Sequence, residues 1–68
     1  MGLRIEILEL LSDGEVWGIQ TIFEKVDTKS MESVRTTMYV LGLSDFVDRV
    51  GWGKYRITER GKTKLGSP

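Results

Sequence analysis

The chain has no cysteine and no histidine. Disulfide staples, thiol nucleophiles, Ser-His and Cys-His pairs, and imidazole or thiolate metal sites are therefore excluded. Carboxylates remain, but they are scattered over turns and helix faces with no evident cleft, so no enzyme is expected. Nothing in the pattern points to a cofactor, a metal or a small-molecule ligand. No apolar run is long enough to span a membrane. Arg4, Glu6 and Glu9 interrupt the apolar residues after Gly2, so no secretion signal is expected either. The lack of cysteine fits the cytoplasm, though weakly.

Net charge is also missing: the formal total is zero. Its distribution is uneven. Residues 1–48 hold four Lys/Arg against nine Asp/Glu, whereas residues 49–68 hold six Lys/Arg against Glu59 alone. An acidic front and a basic back are a hint of polyanion contact, beside the plainer alternative of a solvated basic tail.

What is present is one short domain. At 68 residues it buries a small core, because a chain near this length hides only about 60% of its unfolded surface. Leu3, Ile7, Leu8 and Leu11 recur at helical spacing and predict a first helix over 3–11, stopped at Ser12-Asp13-Gly14. Glu15-Val16-Trp17 reads as a short extended piece that needs a later partner. Ile19, Ile22, Phe23 and Val26 predict a second helix capped by Gly18. Residues 46–50 and 54–58 predict a hairpin around Gly51-Trp52-Gly53. Thr58 is a candidate cap for a last short helical turn over 59–64, with Leu65 returning to the core and 66–68 as a frayed end.

The organising stretch is residues 30–43. Val34, Met38 and Leu41 form an apolar stripe, with Thr37 between them. Ser30 is placed to cap this helix, and Glu32 sits in the first turn, where the dipole favours an acid. Glu32, Arg35, Thr36 and Tyr39 then face outward. One arginine, small hydroxyls and a tyrosine are groups that touch phosphates and base edges. An ordinary mixed surface face is the bland alternative.

The order helix, short strand, helix, helix, hairpin resembles a winged helix-turn-helix domain over Leu3 to Leu65. Leu8 to Gly14 resembles the usual ending of the first helix. Phe46-Val47-Asp48-Arg49 resembles the entry into the wing. Tyr55 to Gly61 with Leu65 is similar to the wing exit of MarR- and PadR-type regulators. The resemblance implies an α+β fold in which three helices pack with a small antiparallel sheet whose hairpin is the wing. It further implies double-stranded DNA as partner, with helix 30–43 in the major groove. The expected DNA-contacting residues are then Lys29, Ser30, Glu32, Ser33, Arg35, Thr36 and Tyr39, with Arg49, Trp52, Lys54 and Arg56 on the wing.

Arg35 can pair bidentately with a guanine edge, Ser30 and Ser33 can donate to phosphate near a helix N-terminus, and Lys54 and Arg56 would add salt-sensitive attraction. Trp52, between two glycines, either folds back over the core or contacts a partner; Trp17 is expected in the core. The turn over 27–34 is about one residue longer than the commonest pattern, and Glu32 would repel phosphate unless it reads a cytosine amine or serves the helix end. The leading expectation is a small prokaryotic or viral transcriptional regulator. A winged-helix protein–protein module is the alternative, and a homodimer is left open.

Overall fold

The computed structural model describes residues 2–28 and 30–66. Among them are four α-helices, a single 3-10 turn and three strands: α1 (Leu3–Leu10), the turn (Leu11–Asp13), β1 (Trp17–Gly18), α2 (Ile19–Lys25), α3 (Met31–Leu43), β2 (Val47–Gly51), β3 (Lys54–Ile57) and α4 (Glu59–Gly66). The domain is a small α+β fold with one antiparallel sheet in the order β1-β3-β2.

Each helix end has a local cause. Gly14 takes the left-handed conformation at φ 80° after the 3-10 turn, and its N–H bonds back to the Leu11 carbonyl at 3.1 Å. The Ser30 hydroxyl accepts from the Ser33 N–H at 3.2 Å and so caps α3. At the other end of α3, Asp45 N–H reaches Gly42 O at 3.1 Å and Phe46 N–H reaches Leu41 O at 2.9 Å. This pair of bonds is a Schellman closure, and it needs the left-handed residue that Asp45 supplies at φ 62°. Thr58 caps α4 by accepting from the Gly61 N–H at 3.0 Å.

The core is the set of apolar stripes brought together. Ile7, Leu8 and Leu11 from the first segment, Ile22 and Val26 from the second, and Val34, Met38 and Leu41 from α3 are buried with Val47 and Ile57 of the sheet. Val47 and Ile57 face each other across β2 and β3. Trp17 packs against this cluster as expected, and its indole N–H donates to Asp13 Oδ1 at 3.1 Å. The same carboxylate oxygen accepts the Glu15 N–H at 2.9 Å, so Asp13 shapes the approach to β1. Glu6 ties α1 to the end of α2 by accepting from the Asp27 N–H at 2.8 Å.

Three details differ from the sequence expectation. The first strand lies at Trp17–Gly18 rather than 15–17, because its register is set by β3, where Tyr55 faces Trp17 and Lys54 faces Gly18. In β2 the ladder slips between Arg49 and Gly51, leaving Val50 as an extra residue. The strand alternates poorly in sequence because its second inward position is Arg49, at the open end of the sheet, and the bulge follows it. The helices number four rather than three: the last turn is a two-turn helix, and Gly66 belongs to it rather than to a frayed end, while 67–68 lie outside the described residues.

Gly61 explains the docking of α4. A Cβ there would meet the Phe46 carbonyl oxygen at 2.2 Å and Ile57 Cγ1 at 2.7 Å. Only glycine lets the helix backbone sit so close to the start of the hairpin. Thr58 completes the junction, its N–H bonding to Phe46 O at 3.0 Å and its hydroxyl to Asp45 O at 2.6 Å.

Candidate nucleic-acid interface

The outer face of α3 is continuous and open. Glu32, Ser33, Arg35, Thr36 and Tyr39 are exposed along it, and Ser30 is exposed at its start. Ser30 is engaged as the cap but keeps its hydroxyl proton to donate outward. Thr37 turns back into the helix, its hydroxyl donating to Ser33 O at 2.7 Å. Lys29 lies outside the described residues.

Beyond Tyr39 the face meets the hairpin, and the two enclose a cleft of about 580 Å³. Arg35, Tyr39 and Leu43 line it from α3, and Arg49, Trp52 and Tyr55 from the hairpin. The strand register explains which hairpin residues arrive there. Arg49 pairs with Tyr55 two positions beyond the buried Val47–Ile57 pair, so both point to the sheet face that α3 covers. Only the outer end of that face is left open, and Arg49 occupies it.

Trp52 does not fold back over the core. It is 90% exposed at the hairpin tip. The Arg49 guanidinium lies over its ring, 5.0 Å from the centroid, a cation–π contact. Arg49 Nε also donates to Gly51 O at a long 3.4 Å. Gly53 takes φ 61° beside Trp52, which makes the two-residue tip possible. Its carbonyl accepts the Ile19 N–H at 2.7 Å, joining the tip to the first residue of α2.

The expected cationic hairpin is divided. Arg56 pairs with Asp48 and, by alternation, points away from the cleft; it lines a separate polar hollow with Thr58, Glu59 and Lys62. Lys54 shares that outer face, two residues along the strand. Arg49 and Trp52 therefore join the α3 residues, whereas Arg56 does not, and Lys54 begins the central strand, paired with Gly18 on one side and Gly51 on the other. The register of the buried Val47–Ile57 pair is the missing information: it sets the facing of Arg49 and Arg56, while the bulge at Val50 lies beyond them.

No family model, no curated protein and no solved structure matches this chain. The site has to be judged on its own chemistry. It offers two guanidiniums, three aromatic side chains and a row of hydroxyls, with Glu32 as the single acid among the expected contacts. That set suits a phosphate-bearing ligand with planar groups. Leu43, 69% exposed in the last turn of α3, continues the outward stripe one turn beyond Tyr39 and adds an apolar group to the polar contacts expected there. Among the described residues no helix is long and apolar enough to cross a membrane.

Proposed function

We propose that the domain is a winged helix-turn-helix that binds double-stranded DNA, with α3 in the major groove and the β2–β3 hairpin as its wing. The supporting observation is the shared cleft: Arg35 on α3 and Arg49 on the hairpin border the same opening. Arg35 is the base-reading residue in this proposal, because its guanidinium stands exposed on the outer face of the helix that would enter the groove. Thr36 and Ser33 flank it as short donors, and Arg49 supplies backbone contact. The role in the cell is then that of a small transcriptional regulator, of prokaryotic or viral type, acting in the cytoplasm.

The test is a titration of the full chain with a selected target duplex and with random duplex. Arg35→Ala should weaken target binding by about 5- to 100-fold, the range of one bidentate base contact, and random-duplex binding far less. Arg49→Ala should weaken both alike. If neither substitution changes either affinity, the proposal is wrong.

One observation favours a second reading, a protein–protein module. Tyr39 and Leu43, each 69% exposed, lie close to Trp52 and make a partly apolar surface. Amide shifts on adding random duplex at low salt separate the two. Shifts at Arg35 and Arg49 favour DNA, and a silent spectrum favours a protein partner.

A further inference from the structure

The cleft between α3 and the hairpin has a chemistry that duplex contact alone does not call for. Phosphates along a groove are met by Lys and Arg, with no need of an indole. Yet Trp52 stands 90% exposed at the tip, with the Arg49 guanidinium over its ring at 5.0 Å. Arg49 leaves the rest of that ring available as a flat apolar surface. Tyr39 borders the same cleft and is itself mostly exposed, and Arg35 stands beside it. With the half-buried Tyr55, three aromatic side chains and two cations thus border a volume of about 580 Å³.

The occupant must be flat, apolar on its faces and negatively charged nearby. An apolar side chain of a protein meets the first two conditions but would strip water from Arg35 and Arg49 without replacing it. A base inside a duplex already has both faces stacked on its neighbours. An unpaired base has its faces free and carries its own phosphate. Stacking of bases on aromatic side chains, with arginine assisting, is the general device for holding single strands.

We infer that this cleft holds one unpaired nucleotide of a DNA strand, its base stacked on Trp52 with Tyr39 opposite and its phosphate paired with Arg35 and Arg49. The inference rests on the DNA-binding reading and narrows it: the preferred ligand is a duplex carrying a short single-stranded extension. Arg49 is then a positioning residue for the indole as well as a phosphate contact.

The experiment compares, for the full chain at low salt, a blunt duplex, the same duplex with a short unpaired extension, and the unpaired strand alone. The extended duplex should bind about 5- to 100-fold more tightly than the blunt one, the value of one stacked base. Trp52→Ala should collapse that ratio toward one, and Trp52→Phe should keep most of it. Trp52 packs against little of the core, so both variants should fold, which circular dichroism checks. Equal binding of blunt and extended duplex would overturn the inference while leaving the duplex reading in place, and a ratio that survives Trp52→Ala would do the same. Binding of the extended duplex and the single strand, with none of the blunt duplex, would support the cleft and remove the duplex reading. Failure of every probe to bind would overturn both.

Discussion

Gly61→Ala is the substitution whose cost the structure specifies most closely. In an open helix this change stabilises, by about 1 kcal/mol, because alanine is the better helix former. At Gly61 the new methyl would lie 2.2 Å from the Phe46 carbonyl oxygen, 2.7 Å from Ile57 Cγ1 and 3.1 Å from the Phe46 carbonyl carbon. Two of these atoms are backbone and cannot rotate aside. The helix would have to retreat by about 1 Å to reach ordinary contact. Retreat pulls on the Thr58 bonds to Phe46 O and Asp45 O, at 3.0 and 2.6 Å, and opens space beside Ile57.

Overpacking of a fixed core costs about 1–3 kcal/mol, occasionally more, and a strained hydrogen bond adds about 1 kcal/mol. Set against the propensity gain, the net loss is about 1–3 kcal/mol. In a domain this small, 1 kcal/mol moves Tm by about 4–8 °C, so a fall of about 5–25 °C is expected. The control is Gly42→Ala, where nothing lies within 4 Å of the added methyl and Tm should rise. Thermal melts followed by far-ultraviolet circular dichroism read both variants. A Gly61→Ala protein as stable as the parent would refute the claim that glycine is required for α4 to dock.

Two further predictions concern the cap and the divided hairpin. Ser30→Ala removes the side-chain acceptor for the Ser33 N–H and should cost about 1 kcal/mol of stability, with Ser30→Asp restoring most of it in urea titrations. Arg49→Ala should lower the slope of log affinity against log salt by about 0.9 for the lost phosphate contact, and by more than Arg56→Ala does. An equal effect of the two would mean that the hairpin meets DNA with both faces.

Much of the fold could be read from residues whose reasons are local. Ser30 as cap and the stripe of Val34, Met38 and Leu41 each depend on a few neighbouring positions, and each is present as expected. The outward set on α3 followed from the same periodicity. What escaped depends on pairing at a distance. A two-residue strand has no period of its own, so β1 had to await Tyr55 and Lys54. The pairing of Val47 with Ile57 decides which way Arg49 and Arg56 point, and it exists only once β2 meets β3. Gly61 looks in sequence like a weak spot in a helix; its purpose appears only when Phe46 is set against it. The meeting of Trp52 with Tyr39 and Arg35 joins residues far apart in the chain and is a product of the assembled fold.

The clip between Ile19 N–H and Gly53 O has a mechanical consequence. Beside the pairing of Gly18 with Lys54, it extends the tie between the two segments by one residue, so a load applied at the hairpin tip is felt at the first turn of α2. Solvent exchange of the Ile19 amide hydrogen becomes a clock for detachment of the tip, readable without any ligand.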